Sequence, residues 1–283
     1  MFSDYSNHPR TIDVHVHPDT ADPEKIKIFA EACRRNHVQA VILGGTRYGD
    51  GDFLTNEQGA EIVAQYPDAF LLGAKLDLWQ TADPDEVDKY VKMGAVILKC
   101  IYPYFEYDND VYMPVYERAE KYRIPCLFHT GNYAQCSFDR EYRRPMLRNM
   151  HPITLDRIAR SFQDLPVIMA HLGTTYYRHE AAEYIKHYKN MYFDLAGSGS
   201  WGTIEPEEMV KLMNFTIPVH DPRMTGFRKM LIGSDAYFTC PEIIEASQIY
   251  HRLIFEKAGV PQEIEDMIRC GSIESMFANI RRP

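Results

Sequence analysis

Thr11-Ile12-Asp13-Val14-His15-Val16-His17-Pro18 reads as a strand, and its reading decides that of the whole chain. Side chains alternate between the faces of a strand, so Asp13, His15 and His17 are predicted on one face and Ile12, Val14 and Val16 on the other. The two imidazoles then converge. Buried carboxylates and imidazoles need partners. A divalent metal is one such partner; two hydrogen-bonded histidines at a strand end are the plainer alternative.

Outward from this stretch, apolar runs alternate with amphipathic helical segments. Further strands are predicted at residues 38–45, 70–79, 95–103, 125–131, 166–173, 191–197 and 229–235. Helices are predicted at 23–37, 55–66, 113–123, 153–163, 177–188 and 205–214, and another opens at Asp83-Pro84 and stops at Gly94. Residues 132–149 form a polar, aromatic, arginine-bearing loop long enough to cover a site. The chain from Pro241 reads as two or three closing helices. Eight strands, each followed by a helix, make an α/β chain that closes as a (β/α)8 TIM barrel. An open doubly wound sheet is the alternative, but His17-Pro18-Asp19 stands where its glycine-rich phosphate loop belongs. No internal repeat, low-complexity tract or linker marks a second domain, so one barrel domain is expected over residues 1–283.

The bulk numbers narrow the function classes. With 45% hydrophobic and 25% charged residues in 283, the chain has the composition of an ordinary globular protein. A net charge of −9 argues against nucleic acid or an anionic membrane as partner. A small anionic substrate remains compatible, because a local cation reverses the field within a cleft. The opening residues lack the basic stretch and apolar run of a secretory signal, and no segment has the length of a membrane span. The six cysteines are scattered without a C-x-x-C pair, which fits free thiols in a reducing cytoplasm.

Polar residues stand late in five later strands: Lys99, His129, His171, Asp194 and Asp235. A barrel carries its active site at that end. If each points inward, then Leu127, Met169, Tyr192 and Gly233, two residues earlier, line the same interior. Three strands deliver four histidines to one rim, opposite a carboxylate on the strand that closes beside the first. Core packing does not ask for that set, whereas a catalytic metal does.

With these motifs in view, the chain resembles the amidohydrolase superfamily. Within it, the chain is similar to the amidohydrolase-2 branch, which also holds aminocarboxymuconate semialdehyde decarboxylase and related metal-dependent decarboxylases. The likeness rests on Ile12-Asp13-Val14-His15-Val16-His17, on residues 125–131 (PCLFHTG), on residues 166–173 (PVIMAHLG), on Leu231-Ile232-Gly233-Ser234-Asp235 and on the closing Phe277-Ala278-Asn279. It implies that His15, His17, His129 and Asp235 bind one divalent ion. It further implies that Asp235 accepts the proton of the attacking water and that His171 stands beside it as a proton-transfer group. Two-metal members of the superfamily carboxylate a lysine on the fourth strand, and Lys99 lies in that region. Here Lys99-Cys100-Ile101-Tyr102-Pro103 is one residue longer than the branch pattern, and one metal is favoured. Zinc suits the nitrogen-rich set, with manganese, iron or cobalt as alternatives.

Lys99, Tyr102, Asp194 and Trp201 are the expected substrate-binding residues, with Tyr104 and Phe105 beside them. Asp194 has a rim hydrogen bond, or the orienting of a histidine, as its other reading. Arg140, Arg143 and Arg144 could pair with a substrate carboxylate or face solvent. Cys136 and Cys240 lack a histidine partner in sequence, so a nucleophilic role is not expected. The leading function is a metal-dependent hydrolase that uses a metal-activated water on an amide, ester or lactone of a small carboxylated substrate. A non-oxidative decarboxylase of an unsaturated or aromatic acid uses the same ligands. A non-catalytic metal-binding scaffold would require a missing ligand or base, and none is missing. The partner is therefore a small molecule, and the resemblance also admits a homodimer.

Overall fold

The computed structural model describes residues 9–46, 50–51, 53–79, 82–137, 139–143, 146–197, 205–213 and 226–283. Strand β1 (Thr11–His17) leads by α1 (Pro23–Arg35) to β2 (Val38–Leu43), then by α2 (Asn56–Gln65) to β3 (Phe70–Lys75). Helix α3 (Pro84–Met93) precedes β4 (Ile97–Cys100), and α4 (Met113–Tyr122) precedes β5 (Cys126–His129). Two single turns, α5 (Asp139–Tyr142) and α6 (Met146–Asn149), lie in the expected covering loop, before α7 (Leu155–Ser161) and β6 (Val167–Ala170). Helix α8 (Thr174–Lys186) leads to β7 (Met191–Phe193), and α9 (Pro206–Met213) precedes β8 (Ala236–Tyr237). Helices α10 (Glu242–Ala258), α11 (Gln262–Asp266) and α12 (Ser272–Ala278) end the chain.

Local chemistry fixes several of these boundaries. Thr55 and Gln58 form a reciprocal capping box at the start of α2. Asp83 caps α3 ahead of Pro84, and Gly94 ends that helix with φ +103°, a left-handed conformation that glycine adopts without steric cost. No described helix is long and apolar enough to cross a membrane.

All eight strands are parallel, in the order β7-β6-β5-β4-β3-β2-β1-β8. A bridge from Phe193 to Met230, with Leu231 N donating to Phe193 O, joins β7 to the segment before β8. Side chains inside the curl pack as one apolar layer that includes Ile12, Val14, Leu43, Ile97, Leu127 and Ile168. Val16, Ala40, Ile42 and Phe70 pack the other way, against Phe29 and Cys33 of α1. The eighth strand departs from the expectation of residues 229–235. Only Ala236–Tyr237 pairs regularly with β1, because Asp235 takes φ +57° and interrupts the extended backbone.

The face assignment of β1 also needs correction. Thr11, Ile12 and Asp13 stand opposite Val38, Gln39 and Ala40, but Val16 stands opposite Ile42, so β1 carries one extra residue in a bulge. Val14 packs inside the curl and Val16 outside it. Asp13 shares its side with Ala40, toward the helices, while His15 and His17 both turn inward. Strict alternation would have separated Asp13 from neither. Met169 is a second correction: it packs in the helix-side core with Phe128 and Phe193, and Ile168 and Ala170 take the interior. His171 still reaches the interior because its backbone switches to φ +65°.

Candidate metal centre

The C-terminal ends of β1, β5 and β6 and the turn before β8 bring four imidazoles and a carboxylate together. His15 Nε2 lies 3.5 Å and His17 Nε2 3.2 Å from Asp235 Oδ1. Metal bonds of roughly 2.0–2.2 Å separate neighbouring donor atoms by roughly 3.0–3.6 Å, so these three atoms have the spacing of one coordination sphere. Their charge states match. Burial pushes both imidazoles below the ordinary histidine range, well below for His15, which keeps their lone pairs free of protons. Burial alone would raise the Asp235 carboxyl, but the His17 hydrogen bond and the surrounding imidazoles hold it well below the usual carboxylate range.

His15, Asp194 and His171 form a second close group. Its carboxylate is already committed. Asp194 Oδ2 sits 3.0 Å from His15 Nδ1, and Oδ1 accepts from the backbone N–H groups of His171 at 2.8 Å and Ala196 at 3.0 Å. Asp194 therefore sets the tautomer of His15: Nδ1 carries the proton and Nε2 presents the lone pair. Fully buried, it is absent from the cavity wall, so the expected substrate contact is corrected to an orienting one.

Lys99 is likewise fully buried, with Nζ 2.8 Å from His15 Nε2, and does not line the cavity. Burial pushes its ammonium down to about 8. It faces the Nε2 lone pair of His15, where substrate contact had been expected.

His129 and His171 meet edge to face, with His129 Nδ1 3.0 Å from His171 Nε2. The outer nitrogens face carbonyls: His171 Nδ1 lies 2.8 Å from Ala196 O, and His129 Nε2 lies 3.2 Å from Asn132 O. Carbonyls only accept, so both outer nitrogens carry protons and the inner two present lone pairs to each other. His129 lies outside the close group of His15, His17 and Asp235, on the same cavity wall.

The cavity above these groups has a volume of about 610 Å³. Tyr102, Tyr133, Tyr237, Asn132 and Thr174 line it with His17, His129 and His171. Tyr102, an expected substrate contact, lines the cavity on a backbone at φ +54°. Trp201 and Arg144 lie outside the described residues. Arg140 and Arg143 are exposed and do not line the cavity; Cys136 does. Sequence reading missed Tyr107, whose hydroxyl lies 3.0 Å from the carbonyls of Cys100 and His129 and ties the end of β4 to that of β5. It also missed Tyr237, whose only signal is its place two residues after Asp235.

Residues 12–271 match the family Amidohydro_2, described as amidohydrolase. No curated protein matches the chain. Among solved structures, the chain is similar to an uncharacterized TIM-barrel protein from Bordetella bronchiseptica, at 17% identity and TM-score 0.69, over 96% of this chain and 99% of that one. It is similar to a dihydroxybenzoic acid decarboxylase from a Polaromonas species, solved with bound manganese and 2-nitroresorcinol, at 14% identity and TM-score 0.56, over 95% and 97%. A Campylobacter jejuni dihydroorotase gives 15% identity and TM-score 0.59, over 99% and 87%. At these identities the likeness is one of fold.

Proposed function

The chain belongs to the amidohydrolase family Amidohydro_2, and on that premise we propose that it is a metal-dependent hydrolase working at the mouth of a closed (β/α)8 barrel. His15, His17 and Asp235 would hold the ion, with His129, which lies outside their close group on the same cavity wall, as the expected fourth donor. A divalent ion there supplies Lewis-acid chemistry and lowers the pKa of water toward ~7; zinc suits the nitrogen-rich donors, and manganese, iron or cobalt are alternatives.

The observation that carries the reading is the division of the Asp235 carboxylate. Oδ1 faces His15 and His17, whereas Oδ2 is turned toward Gly197, a residue of the cavity wall. One oxygen binds and the other takes a proton from water attacking an amide, ester or lactone carbonyl. His171, beside it on the same cavity wall, takes that proton from Asp235 and delivers it to the leaving group. Tyr102, Tyr133 and Tyr237 line the cavity in which the scissile group would sit.

The tyrosine wall also favours a second reading, the decarboxylation of an unsaturated or aromatic acid, since flat rings stack on such surfaces. The two part experimentally. Elemental analysis of the purified protein gives the ion and its stoichiometry. A screen of lactones, amides, esters and unsaturated acids with metal-loaded protein then gives product masses. Gain of one water supports the hydrolase, and loss of carbon dioxide replaces it with the decarboxylase. Absence of any bound ion after supplementation would overturn both.

A further inference from the structure

Asp13 is fully buried on the helix side of β1, outside the cavity, and belongs to no donor group. Its Oδ1 accepts the backbone N–H of His15 at 3.0 Å and that of Ser234 at 3.1 Å, and the Ser234 hydroxyl also bonds to the carboxylate. These two amides lie at the seam between β1 and the chain entering β8. Val14 N donates to Ile232 O at 2.9 Å on one side of it, and Asp235 N donates to His15 O at 2.8 Å on the other. Between these rungs the bulge has shifted β1, and the amides of His15 and Ser234 bond to a side chain.

We propose that Asp13 is the positioning residue of the metal centre. By accepting both amides it holds the β1 bulge that turns His15 and His17 to the same interior face, and it fixes Ser234 so that Asp235 meets them across the seam. The proposal rests on the metal-dependent reading above. Its physical basis is the period of two: without the extra residue, a strand with Val14 inside would carry His15 outside, toward α1. A bulge leaves an amide without a ladder partner, and a buried amide demands an acceptor. Asp13 provides that acceptor for both sides of the seam at once. Asp235 is held at φ +57° between Ser234, bonded to Asp13, and Ala236, whose N–H donates to Ser234 Oγ at 3.1 Å.

The test uses the full chain with zinc as the probe, its affinity measured by competition with a chromogenic chelator below the unfolding temperature of each variant. Asp13→Asn keeps a carbonyl oxygen for both amides and should bind zinc within ~3-fold of the wild type. Asp13→Ala removes the acceptor and should weaken binding by ~10–100-fold. Val38→Ala loosens the same sheet beside Thr11, away from the bulge, and should lower thermal stability while leaving zinc affinity unchanged. If Asp13→Ala fails to fold, the other two variants decide. Tenfold weaker binding by Asp13→Asn would show that charge, not the acceptor, matters and would overturn the proposal. Equal weakening in Val38→Ala, or undiminished affinity in a folded Asp13→Ala, overturns it as well. A wild type that takes up no ion overturns the metal-dependent reading itself.

Discussion

Replacing Asp194 with asparagine tests how the site prepares His15 for an ion. The carboxylate faces three donors: His15 Nδ1 at 3.0 Å through Oδ2, and the amides of His171 and Ala196 through Oδ1. Asparagine offers a single acceptor oxygen. If that oxygen keeps the two amides, the NH2 group confronts His15 Nδ1–H. The ring then relieves the clash by moving its proton to Nε2, the atom that would bind the ion in the proposed centre. If the amide flips, two buried backbone N–H groups face a donor instead. Each unsatisfied buried group costs about 1–3 kcal/mol, and loss of an orienting partner weakens metal binding by ~10–100-fold. We therefore expect folded Asp194→Asn to bind zinc ~10–100-fold more weakly in chelator competition. Nitrogen chemical shifts should show the His15 proton moved from Nδ1 to Nε2. A folded variant with wild-type zinc affinity and an unchanged His15 tautomer refutes the reasoning.

Asp235→Asn should lose both bound ion and turnover, whereas His171→Asn should retain the ion and lose at least ~100-fold in turnover; metal content and product formation on the same samples separate the roles. Gly197→Ala should damage the centre from the opposite wall. Gly197 has φ +80°, and a Cβ there would lie 2.6 Å from Asp235 Oδ2; zinc affinity should fall, together with about 1–2 kcal/mol of stability in urea unfolding. Acid should destabilise the protein through its buried neutral histidines. Burial pushes His251 down to about 4, so between the unfolded value of about 6.5 and that value the unfolded chain binds a proton that the folded one refuses. Stability is intact above the window and falls as pH drops through it, by about 3 kcal/mol from His251 alone. His251→Gln should show a shallower loss between pH 7 and 4.5 in denaturant midpoints measured without metal; an identical slope contradicts the assignment.

Alternating apolar runs and amphipathic segments determined the parallel α/β plan, because hydrophobic periodicity is written into each stretch independently of the others. The same local logic made the late-strand polar residues legible: His15, His17, His129, His171 and Asp235 do converge on one rim. Tertiary structure decided what local periodicity cannot encode. The β1 bulge sends Asp13 away from the histidines it was expected to join, and it is held by Ser234, far along the chain. Left-handed backbone at His171 and Asp235 turns both residues into the site against strand alternation. Lys99 and Asp194 pack beneath His15 because partners 84 and 179 residues apart in sequence meet there. A residue's facing is a local property, but register, backbone inversion and shared hydrogen bonds are settled only when distant strands compete for the same donors.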